Sequence, residues 1–305
     1  MFNFGFTFNA VGQRSTKGPI SLITPSGLGA FVIFSRASTA YTYDATGDLV
    51  SVPIDTPRLD HAPSSGSVLG TLIEPASTNI FTHSVARVAD WTFNQGAYSD
   101  VALYPLSPFP GMSIASTGAS FHRTNHPNVL LQSGVTYAIS IWFQPDTSPN
   151  FRLSFRSMSG NQTNWGGTFA APQALSQGVA GTVSSYDQTT TVGGSIMLRV
   201  LFTPNETTDY SIGLGPFSET SGASLTVLGA QLEQATHPSS YINTIGTSQT
   251  RAPDLIGTSG LNGTYDVHVT YGDNTSETFE AQTVSDGYWP TLSQNHVKSM
   301  TAKLV

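Results

Sequence analysis

The run Asn161-Gln-Thr-Asn164-Trp165-Gly-Gly167 sets one indole among three amides and ends on a glycine pair. Sugars are held by aromatic faces against their C–H surfaces, with amides and carboxylates taking the hydroxyls. Asn161, Gln162, Asn164 and Trp165 are therefore the leading candidates for a carbohydrate contact, read as a Gly-flanked loop. The competing reading is a Trp packed beneath its own loop. Tyr186-Asp187-Gln188 has similar composition, which adds Tyr186 and Asp187 as candidates beside the reading of a solvated turn. Asn94-Gln95 with Tyr98 forms a third patch. Trp142 lies in an alternating segment, opposite Tyr137, Ile139 and Ile141. It is expected either to pack under a neighbouring element or to stand as a platform on a sheet face. Trp289, beside Asp286-Gly287, reads as a structural anchor.

Other chemistries find less support. His122-Arg-Thr-Asn-His126 has the spacing of zinc ligands on a helix, but Pro127 follows and the region reads as β. Asp44 and Asp48 lack the dense acidic loop of an EF-hand. No Gly-x-Ser-x-Gly elbow is present, and Gly213-x-Gly215 lacks the strand–helix setting of a nucleotide site. No metal, cofactor or catalytic residue is assigned. Arg36, Arg58, Asp60, Glu74 and Glu233 stand out in a chain so poor in charge. They read as internal ion pairs that fix strand crossings rather than as the carboxylate pair of a glycosidase.

The elements that must position these residues follow from composition. Of 305 residues only 10% are charged, where an ordinary globular protein has roughly 25%. Ser and Thr number 38 each, Gly 29 and Pro 18, so the surface is one of hydroxyls, amides and glycine. Such a chain disfavours long helices. Its 38% hydrophobic content suffices for a core, and the absence of cysteine excludes disulfides and thiol chemistry. The net charge of −7, with Lys17, Lys298 and Lys303 as the only lysines, argues against nucleic acid. No apolar run reaches the ~20 residues of a membrane helix, and the start carries no positive region of a secretory signal.

Short strands are expected throughout, most clearly at 135–143, 151–155, 196–202, 210–214 and 225–232, with a hairpin over 264–281. We expect an all-β chain: a jelly-roll sandwich over 91–250, a short-strand region over 31–90 and a small C-terminal β extension over 251–305. Residues 1–30 read as an attachment arm. Phe2, Phe4, Phe6 and Phe8 form one apolar strand face that could dock on a partner's sheet edge or close the chain's own sheet.

One ordered series has a family likeness. It comprises Ser35-Arg-Ala-Ser-Thr-Ala-Tyr41, Asp44-Ala-Thr-Gly47, Pro57-Arg-Leu-Asp-His61, Gly70-Thr-Leu-Ile-Glu74 and Ser77-Thr-Asn79. Val227-Leu-Gly-Ala-Gln-Leu-Glu233, Pro238-Ser-Ser-Tyr-Ile242 and Thr250-Arg-Ala252 complete it. The series resembles motifs of bacteriophage and gene-transfer-agent head spikes, head fibres and tail fibres, with Trp91 where that family opens its sandwich. Pro75 and Met197-Leu-Arg199 depart from the pattern. The resemblance implies a non-enzymatic, homo-oligomeric protein on the virion surface, assembled in the bacterial cytoplasm. It would be attached through its N-terminus to a capsid or fibre-base protein and adhere to host surface polysaccharide. A depolymerase and a purely structural fibre or decoration protein are the alternatives. With so few cations, glycan binding is expected to rest on hydrogen bonds and stacking, nearly insensitive to ionic strength.

Overall fold

A computed structural model describes residues 18–102, 110–118, 122–176 and 179–305. Among the described residues every element is a β-strand and every pairing is antiparallel. Phe2, Phe4, Phe6 and Phe8 lie outside the described residues.

Two sheets form a sandwich. The first runs Ala97–Val101, Gly111–Ala115, Ser224–Glu233, Tyr137–Gln144, Ile196–Pro204, Gly181–Thr190. The second runs Gln173–Ser176, Gln162–Thr168, Asn150–Ser157, Thr208–Pro216, Arg123–Asn125, Thr92–Asn94, with Val129–Leu131 also on Thr208–Pro216. The chain passes repeatedly from one sheet to the other. Period-two side chains explain the layers. Tyr137, Ile139, Ile141 and Phe143 point inward from the first sheet, and Phe151, Leu153 and Phe155 meet them from the second. Phe155 stacks on Phe202 with ring centres 4.1 Å apart. Trp91 closes one end of this core, its Nε1 donating to the His83 carbonyl at 3.1 Å.

A third sheet gathers both ends of the described chain. Its main order is Gly27–Leu28, Ile20–Thr24, His296–Leu304, Gly263–Tyr271, Ser276–Val284, and Val68–Leu72 joins His296–Leu304 to Arg58–His61. The 251–305 segment is therefore not a separate extension. It shares a sheet and a second core with strands from the first quarter of the chain, including residues 20–28 of the expected arm. The expected hairpin forms, its turn helped by Asn274 in the left-handed region (φ 67°).

The first sheet's outer face is covered by segments 31–79 and 238–254. The Asn79 amide donates to the Ile242 carbonyl at 2.9 Å and accepts from the Leu232 N–H at 3.0 Å. Beneath this cover lies a buried charge lattice. Asp254 accepts from Arg36 at 3.0 Å and also pairs with Arg58. Glu74 accepts from Arg58 at 2.8 Å and forms an ion pair with Arg251 at 3.3 Å. The Glu74 N–H and the Ser240 hydroxyl complete the set. Burial pushes the Glu74 carboxyl up, but Arg251, Arg58 and the Ser240 hydrogen bonds outweigh it and hold it below its ordinary value. Removing one partner of such a set leaves an uncompensated buried charge, at about 3–5 kcal/mol.

A second buried polar group sits at the sandwich end. His126 Nε2 accepts from the N–H groups of Thr82 (3.0 Å) and His83 (3.3 Å), so its Nδ1–H donates to the Pro127 carbonyl at 2.7 Å. Phe81 stacks on the imidazole at 4.0 Å. Burial, with His83 adding repulsion against the Pro127 bond, lowers its pKa from 6.5 to about 4.

Asp254→Asn should lower unfolding free energy by about 3–5 kcal/mol, read by urea denaturation, whereas exposed Glu280→Gln should change it by less than about 0.5 kcal/mol. A depressed histidine pKa gives stability that is complete above pH 6.5 and lost as pH falls through about 4. His126→Gln, which keeps an acceptor, should flatten the urea midpoint across that range; an unchanged slope would remove His126 from the account.

Candidate functional site

The first and third sheets and the covering segments meet around a cavity of about 440 Å³. Alternation on the first sheet puts Ser140, Trp142, Met197 and Arg199 on its outer face, opposite the core residues Ile141 and Leu198. Strand Ala40–Tyr43 brings Tyr41 and Tyr43, the 238–241 segment brings Tyr241, and the third sheet brings Asp60 and His296.

The aromatic wall is held by specific contacts. Trp142 Nε1 donates to the Tyr43 hydroxyl at 2.8 Å. Tyr241 meets Tyr41 and Trp142 edge-on, at 5.1 and 5.3 Å between ring centres. Burial is the main reason the Tyr43 hydroxyl is pushed up to about 12, so it stays a neutral donor and acceptor.

Asp60 stands opposite. One oxygen accepts from the Thr42 hydroxyl (2.7 Å) and the Tyr43 N–H (2.8 Å); the other pairs with His296 Nε2 at 2.7 Å. Burial raises this carboxyl, but His296, by hydrogen bond and charge, together with Thr42 and Tyr43 outweighs it and holds it below its ordinary value. Arg199 borders the cavity and a neighbouring groove of about 350 Å³ that includes Tyr186, Asp187 and His237. Arg199 pairs with Asp187 across adjacent strands.

The residues singled out from sequence fall in different places. Asn161-to-Gly167 is not a loop: Gln162–Thr168 is a strand of the second sheet. Its alternation turns Thr163 and Trp165 inward and Gln162 and Asn164 outward. Trp165 is 6% exposed and packs on Phe151, so it cannot offer a face to a sugar. Gln162 donates to Ser154 and Asn164, Asn164 donates to Ser176, and Asn161 donates to Glu206. Tyr186 and Asp187 also lie on a strand, Gly181–Thr190, rather than in a turn. Tyr186 packs on Trp165 at 4.6 Å, while Asp187 points to the groove beside Arg199. The Tyr98 hydroxyl lies between the Asn94 and Arg123 carbonyls, a structural role. His122 and His126 flank strand Arg123–Asn125 and bind separate backbone groups, Thr117 N–H for the one and Thr82 N–H for the other. Asp44 closes its own turn onto Thr46 and Asp48.

Sequence reasoning missed the Asp60–His296 pair, whose members are 236 positions apart. Asp60 stood in the motif series, but His296 carries no local signal. A scan against protein-family models and a search of curated proteins each return no match to the chain.

Since Trp165 is core, Trp165→Ala should act on stability, by about 3–5 kcal/mol in urea denaturation. A variant that loses surface binding at unchanged stability would contradict this placement.

Proposed function

We propose that this chain is a non-enzymatic adhesion protein of the phage spike or fibre type, and that the aromatic-walled cavity takes a neutral saccharide unit of a surface polysaccharide. The observation that carries the reading is the wall of Tyr41, Tyr43, Trp142 and Tyr241 facing Asp60, His296 and the exposed Asn295. Ring faces suit sugar C–H surfaces, and the opposite side suits hydroxyls.

The state of the carboxylates favours binding over cleavage. A glycosidase needs an acid with a raised pKa and a second carboxylate free to act. Here Asp60 has both oxygens engaged, and Glu74, which also borders the cavity, is held by Arg58, Arg251 and Ser240. Both carboxyls lie below their ordinary values. One saccharide unit offers each site few contacts, so useful attachment would come from several copies on one particle, through avidity. A homo-oligomer on a virion, joined through its N-terminal segment to a capsid or fibre-base protein, fits that requirement.

The experiment is a glycan array of bacterial surface polysaccharides, followed by titration of the best neutral oligosaccharide. Trp142→Ala should weaken binding at least tenfold, about 1.4 kcal/mol, with circular dichroism unchanged. Absence of binding to any polysaccharide would favour a purely structural fibre. New reducing ends on incubation, abolished by Asp60→Asn, would favour a depolymerase.

A further inference from the structure

The outer face of the second sheet carries a different constellation. Three strands lie side by side there: Arg123–Asn125, Thr208–Pro216 and Asn150–Ser157. In one row Arg123 and Arg152 flank Gly215; in the next, Asn125 and Ser154 flank Gly213. Gly166 lies beyond Arg152. A Cβ at Gly213 or Gly215 would stand 2.1 Å from a carbonyl oxygen of the neighbouring strand, and one at Gly166 2.3 Å. No side chain of their own fits on these positions; the Asn125 amide lies over Gly213, and Arg123 reaches across to Ser154. Arg156, exposed, follows Arg152 on the same face, beside half-buried Gln162 and Asn164.

Three of the chain's nine arginines therefore share one face. Arg36, Arg58 and Arg251 show how this protein treats a buried guanidinium, since each has a carboxylate partner. Among the described residues no carboxylate lies within 4.0 Å of Arg123 or Arg156, and the residues outside that set contain no Asp or Glu. Burial, with Arg152 and Arg156 adding repulsion, lowers the Arg123 pKa to about 10. Arg123 is 5% exposed and donates from Nη1 to Ser154 at 2.9 Å, yet its Nε has no acceptor. Asn125 is equally buried, and its Oδ1, set over Gly213, has no donor. Buried polar groups left unpaired are costly; Nε is unpaired in Arg58 and Arg251 too, but a carboxylate beside each offsets this, and Arg123 has none. The missing pair is an anionic acceptor beside a hydroxyl donor.

We propose that this face binds an acidic saccharide, with the carboxylate of a uronic acid at Arg123 and Arg156 and a ring hydroxyl at Asn125. The ring lies beside exposed Arg156, and half-buried Gln162 and Asn164 face its outer hydroxyls. A uronic acid carries carboxylate and hydroxyls on one ring, which a phosphate ion or an acidic peptide does not. The proposal rests on the reading of the chain as a glycan binder but uses other side chains than the Trp142 cavity. It also revises the expectation of salt insensitivity for this face, since charge-assisted contacts weaken with salt.

Calorimetric titration of the full chain with a galacturonate oligomer and with its methyl ester tests this. The acid should bind at least ~10-fold tighter than the ester, with affinity falling as salt rises. Arg156→Gln, at an exposed position, should lose that preference at unchanged melting temperature; Arg123→Lys should weaken it as well. Trp142→Ala should leave it intact, so failure of the cavity reading and failure of this one are separable. Equal binding of acid and ester, or indifference to both arginine variants, would overturn the proposal. Inorganic phosphate or polyglutamate binding as tightly as the oligomer would overturn the saccharide assignment.

Discussion

The buried lattice of Arg36, Arg58 and Arg251 with Glu74 and Asp254 holds the molecule's separate segments in one arrangement. Its members come from both ends of the sequence, with Arg36 and Asp254 218 positions apart. Each guanidinium and carboxylate taken out of water needs an opposite charge beside it, because an unpaired charge would cost several kcal/mol. The first-quarter strands and the last quarter of the chain are thereby fixed to one another and laid over the sandwich. Neutral contacts extend the same joint: Gln231 accepts from the Ile242 N–H at 2.6 Å, and Glu233 from the Ser239 N–H at 2.9 Å.

The cavity is a consequence of that joint. Its aromatic wall needs Tyr43 from the covering segment against Trp142 from the sandwich, and its polar wall needs Asp60 against His296. No single segment contains both walls. The same chemistry that assembles the site occupies its carboxylates, which leaves aromatic faces, hydroxyls and amides for a ligand. Under the proposed reading that division suits recognition, and it matches a sequence rich in Ser, Thr and Gly.

Much of the fold was legible because alternation is a strong local signal. Tyr137–Gln144 and the hairpin of Gly263–Tyr271 with Ser276–Val284 could be read directly from period-two patterns. Ion pairing of Arg36, Arg58 and Glu74 was also expected, although Asp254 was not singled out. The Asn161–Gly167 run misled because amides and glycines resemble loop composition, while its alternation, with Thr163 and Trp165 inward, was too short to outweigh that. Net charge averages over the chain, and Arg123, Arg152 and Arg156 become neighbours only once strands distant in sequence pair within a sheet. His296 and Asp60 met through tertiary pairing alone, which no local pattern encodes.

One buried charge lattice assembles the joint on which the cavity depends. Hydrogen exchange of the Asp254→Asn variant tests it most directly. The account predicts that backbone amides at Glu74, Ser240 and Ile242 lose protection together, while those of Tyr137–Gln144 in the sandwich core keep theirs. Loss confined to the residues beside position 254, or an even loss across both regions, would contradict it.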